Sequence, residues 1–311
     1  MESLKKRIAV LLPCRNEELT IGNLVEGFLK EIPDSKVYVY DNASTDATAR
    51  KALEAGAKVG FEATPGKGRV LRKMFADIDA DVYVIADGDG TYDPSEAPLM
   101  IKELIEGSYD MVAGARTTLK TLTRPGHSLG NRLFNRLYRF LFTSEFSDIF
   151  TGYRVLSKRL VKSFPAVSSG FEIETELAVH ASQLRLPTLE VPISYGERPT
   201  GSASKLRTFS DGFRILRSMF ALLKENRPLF LFGSLSTISL LASTILAVPI
   251  VATYADTGLV PRVPTVILST ALILLSLLCL ISGLILDSLA KARVEAKRLV
   301  YLQIEPPQAT S

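Results

Sequence analysis

The triplet Asp87-Gly88-Asp89 closes the apolar run Val82-Tyr83-Val84-Ile85. Two carboxylates on a tight turn suit a hard divalent cation, Mg2+ or Mn2+, while a diphosphate supplies the remaining oxygens. Gly88 and Gly90 leave room for close backbone approach. An acidic turn alone is a common solvated feature; its place directly after a buried-looking run is what singles this one out. Two earlier runs end in the same way, at Pro13-Cys14-Arg15-Asn16-Glu17 and at Asp41-Asn42-Ala43-Ser44-Thr45-Asp46. Carboxylates there can accept hydrogen bonds from a nucleoside's ribose hydroxyls or base N–H groups, and Ser44 or Thr45 could also cap the helix that follows. Gly66-Lys67-Gly68-Arg69 is not a Walker A loop, and no GxGxxG fingerprint is present, so neither an NTPase nor a dinucleotide oxidoreductase is supported.

Positioning these residues requires short strands alternating with helices, the pattern of a parallel, layered α/β domain. The spacing predicts strands over Ile8–Leu12, Val37–Tyr40, Lys58–Phe61, Val82–Ala86 and Met111–Ala113. Helices are predicted over Leu19–Leu29, from Ser44 or Thr45 through Ala55, within Gly66–Ile78 and over Ser95–Ile105. Glu17, Asp41, Asp87 and Asp89 then all fall beyond carboxyl ends of strands, where open α/β sheets bind ligands.

Two uncharged runs, Leu229–Thr253 and Val263–Leu286, follow this segment. Each is long enough to span a hydrocarbon core of roughly 30 Å at about 1.5 Å rise per residue. Lys224 and Arg227 precede the first run, and Lys291, Arg293, Lys297 and Arg298 follow the second. The positive-inside rule therefore places both termini and the α/β domain in the cytoplasm. The opening Met1–Arg7 is polar, so no signal peptide is expected. Within the spans, Ser236, Ser239 and Ser243 share one side, and Ser269, Ser276 and Gly283 recur every seven residues; small residues allow close helix approach, within or between subunits. In Arg207–Lys224, the residues Phe209, Phe213, Leu216, Phe220 and Leu223 form one helical stripe beside basic residues, as expected of a helix lying on anionic lipid. The segment Leu129–Phe142 has a similar Leu stripe, equally compatible with the interface and with the core. These limits divide the 311 residues into a catalytic domain (1–206), an amphipathic helix (207–228), a two-helix transmembrane hairpin (229–290) and a cytoplasmic tail (291–311).

The net charge of +4 is mild, but from Met111 to Ser144 there is no acidic residue, while Arg116, Lys120, Arg124, Arg132, Arg136 and Arg139 all occur. No nucleic-acid role is expected, because the basic residues lie near membrane-directed segments and no binding motif accompanies them. Cys14 and Cys279 are too few for a disulfide framework.

In this order, these motifs resemble the family 2 glycosyltransferases of the polyprenyl-phosphate type, which include dolichol-phosphate mannose synthase and undecaprenyl-phosphate sugar transferases. The resemblance covers nearly the whole chain. It also takes in Gly114-Ala115-Arg116, Asp148 with Thr151-Gly152-Tyr153-Arg154, and Arg198 through Ser204-Lys205-Leu206, where the family's RxxGxSKL-type segment is lengthened by one residue. It implies a GT-A, Rossmann-like α/β fold with a divalent metal as cofactor. Pro13, Arg15, Glu17, Asp41, Ser44, Lys67, Asp87 and Gly88 would bind the nucleotide sugar. Asp87 and Asp89 would hold the metal, with Thr91 in the place of the family's metal-side Gln. Asp89, Arg116, Arg132, Arg198, Ser204 and Lys205 would serve the diphosphate and the acceptor lipid's phosphate. The second acid of the usual DDxS motif is Asn42, a departure that bears on base choice. The chain has no Trp, so the QxxRW motif of processive synthases is absent and polymer synthesis is disfavoured.

The implied reaction is inverting transfer of one sugar from a nucleotide-diphosphate sugar, a UDP-sugar favoured over GDP-mannose, to a polyprenyl phosphate. A lipid monophosphate is already anionic and needs little general-base help, so the demand is for cations that stabilise the leaving diphosphate and hold two phosphates together. Glu172, Glu174 and Glu176 could assist or contact sugar; for two of the three a solvated helix is favoured. The family and the small-residue stripes suggest a homo-oligomer. The competing readings are transfer to another lipid such as diacylglycerol, and a catalytically silent nucleotide-binding membrane scaffold.

Overall fold

A computed structural model describes residues 6–116, 146, 148–170, 172–196, 220–221, 223–260 and 262–306. The chain forms two compact units, Met1–Ile215 with Lys297–Ser311 and Leu216–Ala296.

In the first unit the elements alternate: β1 (Ile8–Cys14), α1 (Ile21–Glu31), β2 (Ser35–Asp41), α2 (Thr48–Glu54), β3 (Lys58–Phe61), α3 (Lys67–Asp77) and β4 (Val82–Ile85). A 3-10 turn at Pro94–Glu96 leads into α4 (Ala97–Glu106), β5 (Met111–Arg116), β6 (Arg154–Ser157), α5 (Lys158–Ser163), α6 (Ile173–Leu184) and β7 (Thr188–Ile193). The strands form one sheet in the order β3-β2-β1-β4-β6-β5-β7. Apolar residues fill β1 and β4 because both sheet faces are covered; Val10, Leu11, Leu12, Val82, Tyr83 and Val84 have no exposed surface. Helix α1 buries Ile21, Leu24, Val25 and Phe28, one stripe of a 3.6-residue period.

The expected parallel arrangement holds among β1, β2, β3 and β4 and between β5 and β7. It fails at β6, which runs antiparallel between β4 and β5, so the sheet is mixed. Strand β6 therefore starts at the carboxyl rim, with Arg154 opposite Ile85. That reversal brings Thr151-Gly152-Tyr153 alongside Asp87. The sheet order turns at β1 and β4, and the residues after these two strands frame the crevice expected to take a ligand.

Helix boundaries differ in one place that matters to the site. Helix α2 starts at Thr48, later than a cap at Ser44 or Thr45 would place it. The Thr48 amide donates to Asp46 Oδ1 at 3.0 Å, and Ser44 Oγ instead accepts from the Asn16 amide at 2.9 Å. Those rim residues are drawn away from the helix to join two loops.

The last turns of the chain also belong to this unit. Asp110, fully buried, accepts from Ser157 Oγ at 2.6 Å, from Arg159 Nε at 2.5 Å and Nη2 at 2.8 Å, and from Tyr301 Oη at 2.8 Å. The Arg159 guanidinium lies 4.7 Å from the Tyr301 ring centroid.

The second unit contains α7 (Pro228–Thr257) and most of α8 (Val263–Leu302). Both are long and apolar enough to cross a membrane. Their polar residues face one another: Ser236 Oγ lies 3.0 Å from Ser276 Oγ, and Ser243 Oγ lies 3.0 Å from Ser269 Oγ. Gly283 lets α7 lie close to α8, since a Cβ there would stand 3.1 Å from that of Phe232. The small-residue stripes thus pack within the hairpin. Helix α8 continues unbroken past the apolar run to Leu302, because Lys291–Tyr301 contains neither Gly nor Pro. The two predicted interfacial helices fall largely (207–219 and 222) or wholly (129–142) outside the described residues.

Candidate active site

The rim is built first by two interlocked loops. After β1 and β2 the chain turns through Asn16 (φ 52°) and Ala43 (φ 55°), both left-handed, a conformation held only where surrounding contacts impose it. The contacts are reciprocal. Asn16 Oδ1 accepts from the Thr45 amide at 2.8 Å, Thr48 Oγ1 from the Glu17 amide at 2.8 Å, and Glu18 Oε2 from the Ala47 amide at 3.1 Å. Ser44 is used in this lacing, and its own amide donates to Asp41 Oδ2 at 3.3 Å. Among the described residues Asp41 Oδ1 is buried without a partner. A buried acceptor of that kind is suited to an incoming N–H or hydroxyl.

Asn42 behaves differently from its neighbour. Its Nδ2 donates to the carbonyls of Glu62 and Thr64 at 3.0 and 2.8 Å, and its Oδ1 accepts from the Gly66 amide at 2.6 Å. Both amide protons and the carbonyl oxygen are engaged in fixing the strand-to-helix loop, which leaves no donor to read a base. Sequence reasoning missed this role, although the amide in place of the usual acid was its signal.

The loop so fixed presents Lys67 at the start of α3. Its ammonium bonds Asp87 Oδ1 and lies 2.5 Å from Glu174 Oε1. Burial alone would pull this lysine down, but the two carboxylates outweigh it and hold the ammonium above the usual lysine range. The flanking glycines serve packing: a Cβ on Gly66 or Gly68 would collide with the backbone oxygens of Ser169 and Ser168 respectively. Glu176 pins that second loop by accepting from the amides of Val167 and Ser168 at 2.9 and 2.8 Å. Of Glu172, Glu174 and Glu176, for two of which a solvated helix was expected, Glu174 is buried against Lys67, while Glu176 stays partly exposed as it holds that loop.

The acidic triplet sits between these parts. Thr20 Oγ1 donates to the Gly88 carbonyl at 2.6 Å, and a Cβ on Gly88 would strike Cys14 Sγ, so Gly88 lets the turn lie against β1. Thr91 Oγ1 donates to Asp89 Oδ1 at 2.6 Å, which orients that carboxylate. Gly152 leaves space beside Asp87, since a Cβ there would stand 2.5 Å from Oδ2. The Gly152 amide donates to Tyr92 Oη at 2.8 Å. No cluster of three or more His, Cys, Asp or Glu metal ligands occurs among the described residues. The donor set nonetheless fits a divalent ion that brings diphosphate oxygens with it: two carboxylates one residue apart, with Gly152 leaving room beside Asp87.

Arg116 is at the rim end of β5, but its guanidinium is committed. Nε and Nη2 donate to the two oxygens of Asp148 at 2.6 and 2.8 Å, and the group lies 5.3 Å from the Tyr195 ring centroid. Burial would lower its affinity for a proton, but the Asp148 hydrogen bonds raise it above the ordinary arginine value. Pro13, Arg15 and Glu17 take their places at the end of β1. Arg132, Arg198, Ser204 and Lys205 lie outside the described residues.

A mixed α/β sheet with an acidic triplet at its switch point is the framework of GT-A-type glycosyltransferases, and the comparisons agree. The model of glycosyl transferase family 2 matches residues 9–164. Glycosyltransferase AglJ of Haloferax volcanii is 37% identical over 233 residues, 73% of this chain and 75% of that protein. The undecaprenyl-phosphate mannosyltransferase of Micrococcus luteus is 26% identical over 63% of this chain and 86% of its own. Among solved structures, Mycobacterium tuberculosis glucosyl-3-phosphoglycerate synthase with Mn2+, UDP-glucose and phosphoglyceric acid is similar in fold, with TM-score 0.58, 21% identity, and coverage of 70% of this chain and 80% of that one. The chain belongs to glycosyl transferase family 2 and is a glycosyltransferase.

Proposed function

We propose that this enzyme moves one sugar from a nucleotide-diphosphate sugar, a UDP-sugar in preference to GDP-mannose, to a polyprenyl phosphate at the cytoplasmic membrane face. The observation that carries the reading is the acidic rim beside an Asp41 oxygen buried without a hydrogen-bond partner among the described residues, in one chain with two membrane-length apolar helices. The first feature fits a nucleoside diphosphate and the second fits a lipid acceptor. The undecaprenyl-phosphate mannosyltransferase among its relatives supports the same acceptor class.

In this reading Asp41 receives the nucleoside, and Asp87 and Asp89 hold Mg2+ or Mn2+. The metal, when bound, neutralises charge developing on the leaving diphosphate. Thr91 keeps Asp89 aligned, and Lys67 adds positive charge on the diphosphate side. Arg132, Arg198, Ser204 and Lys205 are assigned to the two phosphates. The acceptor's phosphate oxygen attacks the anomeric carbon as the bond to the diphosphate oxygen breaks, so the centre inverts. No proton has to be removed from the nucleophile.

Purified protein incubated with labelled UDP- and GDP-sugars, undecaprenyl phosphate and either metal should yield a glycosylated lipid phosphate detectable by mass spectrometry. Asp89→Ala should lower turnover at least about a hundredfold. Activity confined to a neutral lipid acceptor such as diacylglycerol would reject the acceptor assignment. Near-normal turnover by Asp89→Ala would reject the site.

A further inference from the structure

The cation already lodged on Asp87 belongs to the protein. Lys67 Nζ bridges Asp87 and Glu174, and the three side chains differ in exposure: 7% for Lys67, 11% for Glu174 and 29% for Asp87. Asp87 therefore turns an edge to solvent, while Glu174 lies behind the ammonium. The backbone carrying Lys67 is not loose. Asn42 holds the Gly66 amide, and the Ser168–Ser169 backbone closes over both flanking glycines. What remains adjustable is the lysine side chain, which can keep Glu174 while giving up Asp87.

A divalent ion arriving alone at Asp87 meets that ammonium, and two cations competing for one carboxylate repel each other. An ion arriving on a diphosphate brings anionic oxygens that the displaced ammonium can bind in its turn. Resting on the proposed metal and diphosphate site, we propose that Lys67 is a resident counter-cation that withholds Asp87 from free metal and yields it only to metal carried by a diphosphate, with Glu174 as the positioning residue that retains the lysine. Metal and donor then bind as coupled ligands, each tightening the other by the same factor. The buried Lys67–Glu174 contact also explains why a lysine at this place does not simply swing into solvent, since leaving would strand a carboxylate in the interior.

Removing the ammonium has an opposite effect on the two ligands. Both its contacts are short, so Asp87 and Glu174 oxygens stand no more than about 5 Å apart across it. In Lys67→Met they would face an open position that suits a divalent ion with no nucleotide present. A role confined to folding would weaken both ligands together.

The test is Mn2+ titration of the full chain in detergent, read by electron paramagnetic resonance of free Mn2+, with and without UDP or GDP and corrected for metal held by the nucleotide itself. Wild type should bind Mn2+ at least tenfold more tightly when a nucleotide is present. Lys67→Met should bind Mn2+ alone at least tenfold more tightly than wild type, and bind nucleotide more weakly. Lys67→Arg, which keeps the charge, should still resist free Mn2+. Glu174→Gln, which keeps the shape but not the charge that retains the lysine, should shrink the nucleotide-dependent gain at least threefold, an arm that holds even if Lys67→Met does not fold. If wild type binds Mn2+ only with nucleotide but Lys67→Met gains nothing, or Glu174→Gln leaves the gain unchanged, the inference falls while the metal site stands. If wild type binds no Mn2+ with either nucleotide, both fall.

Discussion

Asn42 shows how far a single side chain can be misjudged from its neighbours. It follows Asp41 in a motif where a second acid is usual, and from the sequence its consequence was placed at the nucleotide base. Its three hydrogen bonds instead go to the loop that presents Lys67. An ionised carboxylate cannot donate to the Glu62 and Thr64 carbonyls, so Asn42→Asp should destabilise by about 1–3 kcal/mol for the buried partners lost. The sign of its pH dependence is informative: protonation restores one donor, so the variant's thermal midpoint should recover towards wild type as pH falls from 7 to 5. A midpoint difference that stays constant over that range would contradict the clamp. Asp41, Asp87 and Asp89 were readable as residues of the sheet's carboxyl rim because each directly ends or follows an apolar strand. Lys67 was not readable as a partner of Glu174, because 107 positions separate them and no local spacing connects the two.

Among the elements, strands were read closely wherever runs were apolar and short, as at Lys58–Phe61, and β6 was not. Arg154-Val155-Leu156-Ser157 is only four residues long and carries a buried arginine, so periodicity gives it no signature. Arg154 is accommodated because Nη2 donates to the Ile149 carbonyl at 2.9 Å and Nε to that of Thr151 at 3.2 Å. Helix α6 offers a test at its own scale. His180 is buried on it, with Nε2 3.0 Å from Ser163 Oγ and Nδ1 without a hydrogen-bond partner among the described residues. Burial, aided by Lys297, lowers its pKa to about 3, so the folded protein keeps it neutral where the unfolded chain takes up a proton. The stability this group contributes is present above pH 6.5 and is lost as pH falls towards 3. Between pH 6.5 and 5 the loss is about 2 kcal/mol. His180→Gln, uncharged throughout, should show a flatter midpoint-against-pH curve over that interval; identical slopes would remove His180 from the account.

For the molecule as a whole, the two apolar helices were legible from length and composition, as runs long enough to cross a membrane. Where the second one stops was not, because the charges after Leu286 mark the end of apolar sequence rather than the end of the helix. The orientation proposed from flanking Lys and Arg predicts that a reporter fused to either terminus is shielded from reagents outside intact cells. A terminus labelled from outside would refute it. Gly283→Leu should overpack the approach to Phe232 and Leu229, lowering stability in detergent by about 1–3 kcal/mol, with Gly283→Ala milder.

The serine pairs between these helices have a practical corollary. Ser236 with Ser276 and Ser243 with Ser269 satisfy one another inside the hairpin, so its two helices are held together by hydroxyls of their own. Produced alone in detergent, residues 228–296 should therefore keep the two helices paired, and Ser243→Ala should loosen them.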